Sequence, residues 1–109
     1  MLLEDAFVGL VEGLCKIFKN NIQQVILYGS VARQEASEDS DVDIAIILGR
    51  MMTAEERKEF LELVSYLDMK YERVFSVIDI DENNMKKWGR ILPFYKNIQE
   101  EGIVLWKAA

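Results

Sequence analysis

The seven residues Val42-Asp43-Ile44-Ala45-Ile46-Ile47-Leu48 constrain the fold more than any other stretch of the chain. Successive side chains of a strand point to opposite faces, so a strand with one wet face alternates apolar and polar residues. From Ile44 to Ile47 there is no alternation, and both faces are apolar. That is the pattern of a central strand covered on both sides. The chain therefore has to supply neighbouring strands at its edges and helices for its faces.

The rest of the pattern supplies both. Leu3, Phe7, Leu10, Val11, Leu14 and Phe18 recur at three- and four-residue steps, which predicts an amphipathic helix over 3–19 closed by Asn20-Asn21. Residues 23–28, rich in Val25, Ile26, Leu27 and Tyr28, read as a strand ended by Gly29, with a short helical turn over 30–34. Thr53-Ala54-Glu55-Glu56 is a capping box opening a helix that runs to about Lys70 on Phe60, Leu63, Val64 and Leu67. A third strand is expected over 73–80. Asp81 caps a short helix carrying Met85 and Trp88, and Pro93 starts another that Gly102 stops. Ile103 to Trp106 reads as a terminal strand. The order α-β-β-α-β-α-α-β predicts an α/β (α+β) fold, a small mixed sheet flanked by helices. The first two strands are expected to be antiparallel neighbours, because about a dozen mostly polar residues between them are too few for a crossover helix.

At 109 residues the chain has room for one domain, 1–109, and none for a second substrate domain. The net charge of −6, with no basic stripe, argues against direct nucleic-acid binding. The absence of histidine removes His-based triads and His-ligated zinc, and the single cysteine, Cys15, has no disulfide partner and reads as a small core residue. With no apolar run of membrane-spanning length and no basic leader, a cytoplasmic protein is expected, with no membrane role.

The residues with chemistry cluster in one segment. Tyr28-Gly29-Ser30-Val31-Ala32-Arg33 leaves the first strand, and Ser40-Asp41-Val42-Asp43 opens the second. Carboxylates two positions apart on a strand share a face. At about 6.5 Å their repulsion is roughly 2.5 kcal/mol at an effective dielectric near 20 and about 0.6 kcal/mol in water. A cation would relieve it. An EF-hand-like loop fails, because its sixth and twelfth positions would be Ile44 and Arg50 rather than glycine and glutamate. Two readings stay open: a solvated acidic loop meeting a strand, or a clamp in which Asp41 and Asp43 hold Mg²⁺. In the second, Gly29 and Ser30 offer backbone N–H groups and a hydroxyl to a phosphate, and Arg33 adds a positive charge. Arg33 reads equally as a surface charge tying down its loop. No P-loop or dinucleotide fingerprint is present.

These residues resemble the signature of the polymerase beta-like nucleotidyltransferase superfamily, and most closely that of its minimal nucleotidyltransferases. The matching pieces are Gly29-Ser30-Val31-Ala32-Arg33, Ser40-Asp41-Val42-Asp43 and the run Pro93 to Leu105. The resemblance implies that Asp41 and Asp43 are catalytic and bind Mg²⁺, that Gly29 and Ser30 hold the triphosphate of ATP or another NTP, and that a nucleoside monophosphate is transferred to a hydroxyl. It also implies an antitoxin role beside a HEPN-domain toxin, in a hetero-oligomer, with AMP added to a toxin tyrosine. The sequence departs from that pattern at one place. Active members carry a third carboxylate on the strand after the central helix, and Ser76 stands there. Asp79, an odd number of residues away, is expected on the opposite face. The alternative is a catalytically degenerate antitoxin that neutralises its partner by binding alone.

Trp88, Phe94, Tyr95 and Trp106 are expected either to close the core or to form a partly exposed partner patch. Met51-Met52 reads as loop packing, and residues 55–59 as a solvated helix face.

Overall fold

The structure is a computed structural model, and it describes residues 3–37 and 39–109. Helix α1 spans Leu3–Phe18 and runs through a single 3-10 turn, Lys19–Asn21, into strand β1, Ile22–Tyr28. Then follow α2 (Gly29–Ala32), β2 (Val42–Leu48), α3 (Ala54–Tyr71), β3 (Phe75–Asp81), α4 (Glu82–Trp88), α5 (Pro93–Glu101) and β4 (Ile103–Lys107). The sheet order is β3-β2-β1-β4. β1 pairs antiparallel with β2 and with β4, while β2 and β3 are parallel neighbours. The mixed sheet and the antiparallel first pair are as the sequence predicts, and α3 serves as the crossover between the parallel strands.

β2 is buried along nearly its whole length because both of its faces are covered. Val25, Leu27, Val42, Ile44, Ile46 and Leu48 face Leu10, Leu14 and Phe18 of α1 and Phe60 and Leu67 of α3. Ile26, Ala45, Ile47 and Ile80 face Met85 of α4 and Ile98 of α5. The second layer is much the smaller. Cys15 is half-buried at the edge of the larger core, and burial raises its thiol pKa.

Two local devices set the ends of the central strands. Asn21 is the one buried polar side chain among the described residues. Its Oδ1 accepts from the Arg50 amide at 2.7 Å, and its Nδ2 donates to the Arg50 carbonyl at 3.0 Å, tying the start of β1 to the turn after β2. The capping box forms as expected: the Glu56 amide donates to Thr53 Oγ1 at 3.1 Å, and the Thr53 amide donates to Glu56 Oε1 at 2.9 Å. Glu56 does more than face solvent, since Arg50 forks onto both of its oxygens at 2.9 and 3.1 Å. The Arg50 fork first, then the Thr53 amide, hold its carboxyl at about 2.

This linkage has a definite sign. The unfolded carboxyl titrates near roughly 4.3, so on acidification the unfolded chain takes up the proton first. The contribution to stability is complete above that pH and is lost as pH falls through about 2. Acid unfolding curves of Glu56→Gln are expected to lack this component. Parallel wild-type and Glu56→Gln curves between pH 5 and pH 2 would refute the assignment.

β3 starts at Phe75 rather than at Arg73, because Glu72 ends α3 in the left-handed conformation, φ 52°. Asp68 Oδ1 then takes the Phe75 amide at 2.8 Å. Asp81 caps α4 by accepting from the amides of Asn83 and Asn84, and Gly102 closes α5. Met52 packs against the core, while Met51 is exposed. No helix among the described residues is long and apolar enough to cross a membrane.

Candidate functional site

The chemistry-bearing residues converge at the end of the sheet where β1 stops and β2 starts. Tyr28 and Asp43 are cross-strand partners in the antiparallel pair, and Asp43 and Ser76 are partners in the parallel pair. Tyr28, Asp43 and Ser76 therefore stand in one row on one face of the sheet, the face carrying Ile26, Ala45, Ile47 and Ile80. Asp79 pairs with Ile46, which points into the opposite core. Ser76 thus occupies the position beside Asp43, and Asp79 is turned away from it.

Asp41 immediately precedes β2 and is exposed, while Asp43 is half-buried. Burial first, and the Asp41 charge second, push the Asp43 carboxyl above its ordinary value; the Arg33 guanidinium partly offsets them. Burial and the Asp43 charge raise the Tyr28 phenol in turn. The two acids are therefore close enough to repel, and Arg33 is close enough to be felt.

Gly29 makes that proximity sterically possible. Its φ is +73°, a region that costs other residues energy, and a Cβ on it would run into the Asp43 carboxylate. The backbone at the start of α2 is pressed against the acid. The turn closes through Arg33 N to Gly29 O at 3.1 Å and Glu35 N to Ser30 O at 2.9 Å, with Gln34 left-handed at φ 59°. Arg33 donates from Nε to Glu35 Oε2 at 3.2 Å and lies 3.7 Å from Glu101 of α5. It ties its loop to the last helix and also lends charge to Asp43.

Three of the four C-terminal aromatics divide between the two expectations, and Trp88 is half-buried. Trp106 and Tyr95 pack on the cores. Phe94 is 49% exposed and stands edge-on to Tyr28 with centroids 6.1 Å apart. Ile91 and Leu92, just before it in sequence, are exposed as well, and Phe94 brings this apolar stretch up to Tyr28, the cross-strand partner of Asp43.

The donor set fits a hard divalent cation. It consists of two carboxylates that repel each other, one of which, Asp43, lies against the Gly29 backbone where only a glycine fits. Among the described residues no group of three or more His, Cys, Asp or Glu side chains forms a metal cage. Asp41 and Asp43 could supply two carboxylates to such an ion, which usually takes one or two from the protein and the rest from substrate and water.

A strand, a Gly-Ser turn onto a short helix, and an acid pair at the mouth of the next strand define a nucleotidyltransferase-type domain. The chain matches the family described as Polymerase beta, Nucleotidyltransferase over residues 12–108, and it belongs to that family. It is 32% identical over 106 residues to a Methanocaldococcus jannaschii protein named "Putative protein adenylyltransferase MJ0604", covering 94% of this chain and 97% of that one. It is 37% identical over 62 residues to a second protein of the same organism, "Putative protein adenylyltransferase MJ0141". That match spans 57% of this chain and 63% of the relative, less than two thirds of its length. A toxin–antitoxin crystal structure with AMP-PNP shares the fold at TM-score 0.56 and 20% identity, over 91% of this chain and 72% of the other. So does the MNT antitoxin complex with the tri-AMPylated HEPN toxin of Shewanella oneidensis, at TM-score 0.50 and 17% identity, over 93% and 71%.

Two residues of the site escaped sequence reasoning. Tyr28 was legible only as the last residue of a strand, and its place beside Asp43 comes from the β1–β2 register. Arg73 reaches the Ser40 carbonyl across 33 positions of sequence, and no local pattern signals such a contact.

Proposed function

We propose that this chain is an Mg²⁺-dependent nucleotidyltransferase that moves AMP from ATP to a tyrosine hydroxyl of a HEPN-type toxin, as the antitoxin of that pair in a hetero-oligomer. The observation that carries the reading is the Asp43 carboxylate set against the Gly29 backbone, with the Asp41 charge near enough to act on it. The names of the 32%-identical relative and of the Shewanella complex support the nucleotide and the partner class.

In this reading Asp41 and Asp43 hold the cation. When bound, Mg²⁺ would neutralise phosphate charge and polarise the phosphoryl oxygens. The Ser30 hydroxyl and the amides of Gly29 and Ser30 orient the triphosphate, and Arg33 adds fixed positive charge. The acceptor oxygen bonds to the α-phosphorus, the α–β bridging bond breaks, pyrophosphate leaves and the hydroxyl proton is released. The exposed stretch of Ile91, Leu92 and Phe94 offers the partner an apolar foothold next to Tyr28.

The second reading is an antitoxin that binds without transferring. The serine beside Asp43 favours it, because Ser76 is neither a metal-binding carboxylate nor a base at neutral pH.

One incubation separates the two: this chain, labelled ATP, Mg²⁺ and a HEPN-type toxin. Label is expected on a partner tyrosine, falling roughly 10²–10³-fold in Asp41→Asn. A stable complex that carries no label, and that Asp41→Asn leaves intact, would establish neutralisation by binding instead.

A further inference from the structure

Asp41 lies just outside the β2 ladder, so something other than strand pairing must hold it. Two bonds flank it. Arg73 Nη2 donates to the Ser40 carbonyl at 2.9 Å, and the Val42 amide donates to the Val74 carbonyl at 2.8 Å. Both come from the two-residue connection between Glu72, which ends α3, and β3. The Ser37–Ser40 turn closes on itself, with the Ser40 amide on the Ser37 carbonyl at 3.2 Å and the Ser37 amide on Ser40 Oγ at 3.0 Å. That turn shapes the loop without anchoring it to the sheet.

The Arg73 guanidinium is half-sunk. Its Nε is buried and has no hydrogen-bond partner among the described residues. Asp39, Asp68 and Glu72 line the same surface cavity of about 370 Å³ as Arg73. Sinking a guanidinium with one N–H unsatisfied is costly, so its remaining donors matter. The one fixed in place points at the carbonyl directly before Asp41. Repulsion between Asp41 and Asp43 acts to drive the exposed acid outward, and the tether resists that.

We propose that Arg73 is a positioning residue: by holding the Ser40 carbonyl it keeps Asp41 beside Asp43, so that the pair is preorganised for a divalent cation and its nucleoside triphosphate. The inference deepens the metal-site reading above and rests on it. Preorganisation of this kind acts through affinity and loop order, since the donor of Arg73 is on the Ser40 carbonyl rather than on either acid.

The test uses Mn²⁺ as the probe, followed by its electron paramagnetic resonance with and without ATP, alongside amide hydrogen exchange of residues 39–42 without metal. Arg73→Met keeps the apolar stem and deletes the donors. It is expected to weaken Mn²⁺ binding about tenfold or more and to speed exchange at Asp41 and Val42. Arg73→Lys, with one donor for Ser40, is expected to fall between. Unchanged Mn²⁺ affinity together with unchanged exchange in Arg73→Met overturns the proposal. Should that variant not fold, the same criterion applied to Arg73→Lys decides. If the wild type itself binds no Mn²⁺ while Arg73→Met still loosens the loop, the tether stands and the metal reading is what has failed.

Discussion

Gly29→Ala is expected to lose Mg²⁺-dependent nucleotide binding by about 10–100-fold and to destabilise the chain by about 2 kcal/mol. Two independent costs fall on one methyl group. At φ +73° a Cβ meets its own backbone, a penalty of roughly 1–2 kcal/mol for an L-residue. The same Cβ would occupy space held by the Asp43 carboxylate. Asp43 cannot retreat into the strand, because Val42 and Ile44 on either side of it are fully buried. Its side chain must rotate away, which separates it from Asp41 and from the Gly29–Ser30 amides at once. A displaced ligand of this kind typically costs 10–100-fold or more. Isothermal titration of MgATP and a urea melt measure the two effects separately. Gly29→Ala that binds MgATP like the wild type would show that the backbone at this turn does not serve the site, and the assignment of Gly29 would have to be abandoned.

Ser76→Asp is the variant expected to gain function. Neighbouring strands lie about 4.8 Å apart, and Ser76 is the register partner of Asp43 on the shared face. A carboxylate there would reach a cation held by Asp43. Divalent-cation affinity is expected to rise at least about tenfold, and AMP transfer, where the wild type shows it, to rise with it. The apo protein should suffer, because a third negative charge joins an acid whose pKa burial first, and the Asp41 charge second, already raise. That costs about 1–2 kcal/mol, or a fall of roughly 4–8 °C in Tm for a domain of this size. Saturating Mg²⁺ should return the loss, because a cation bound only by the folded state stabilises it by mass action. Thermal melts of Ser76→Asp with and without Mg²⁺ decide the matter, with Asp79→Asn as the control that should change neither curve. A Ser76→Asp melt indifferent to Mg²⁺ would mean that this position does not face the acid pair.

The two variants mark how far the site was legible in the sequence. Gly29, Ser30, Asp41 and Asp43 were readable because each is tied to its neighbours by local rules. A glycine suits a strand-to-helix turn with positive φ, and acids two apart on an extended segment share a side. The parity argument that turned Asp79 away from Asp43 also held, because β3 runs without a bulge from Phe75 to Asp81 in register with β2. Helices α3, α4 and α5 were readable through their start signals, the caps Thr53 and Asp81 and the first-turn Pro93, which are confined to three or four residues.

What the sequence by itself determined, then, was the central strand, the layers that cover it, and the acid pair at its mouth. Each follows from periodicity or from contacts within a few residues. The sequence placed β1 beside β2, but only the tertiary structure decided that β3 is the other neighbour, and fixed the registers that put Tyr28 and Ser76 on either side of Asp43 in one row. The tertiary structure alone decided that Arg33 reaches Glu101, and that Arg73 holds the loop carrying Asp41. Those pairs are joined by chain folding across tens of residues. Strand order and side-chain reach set them, and neither leaves a trace in local pattern.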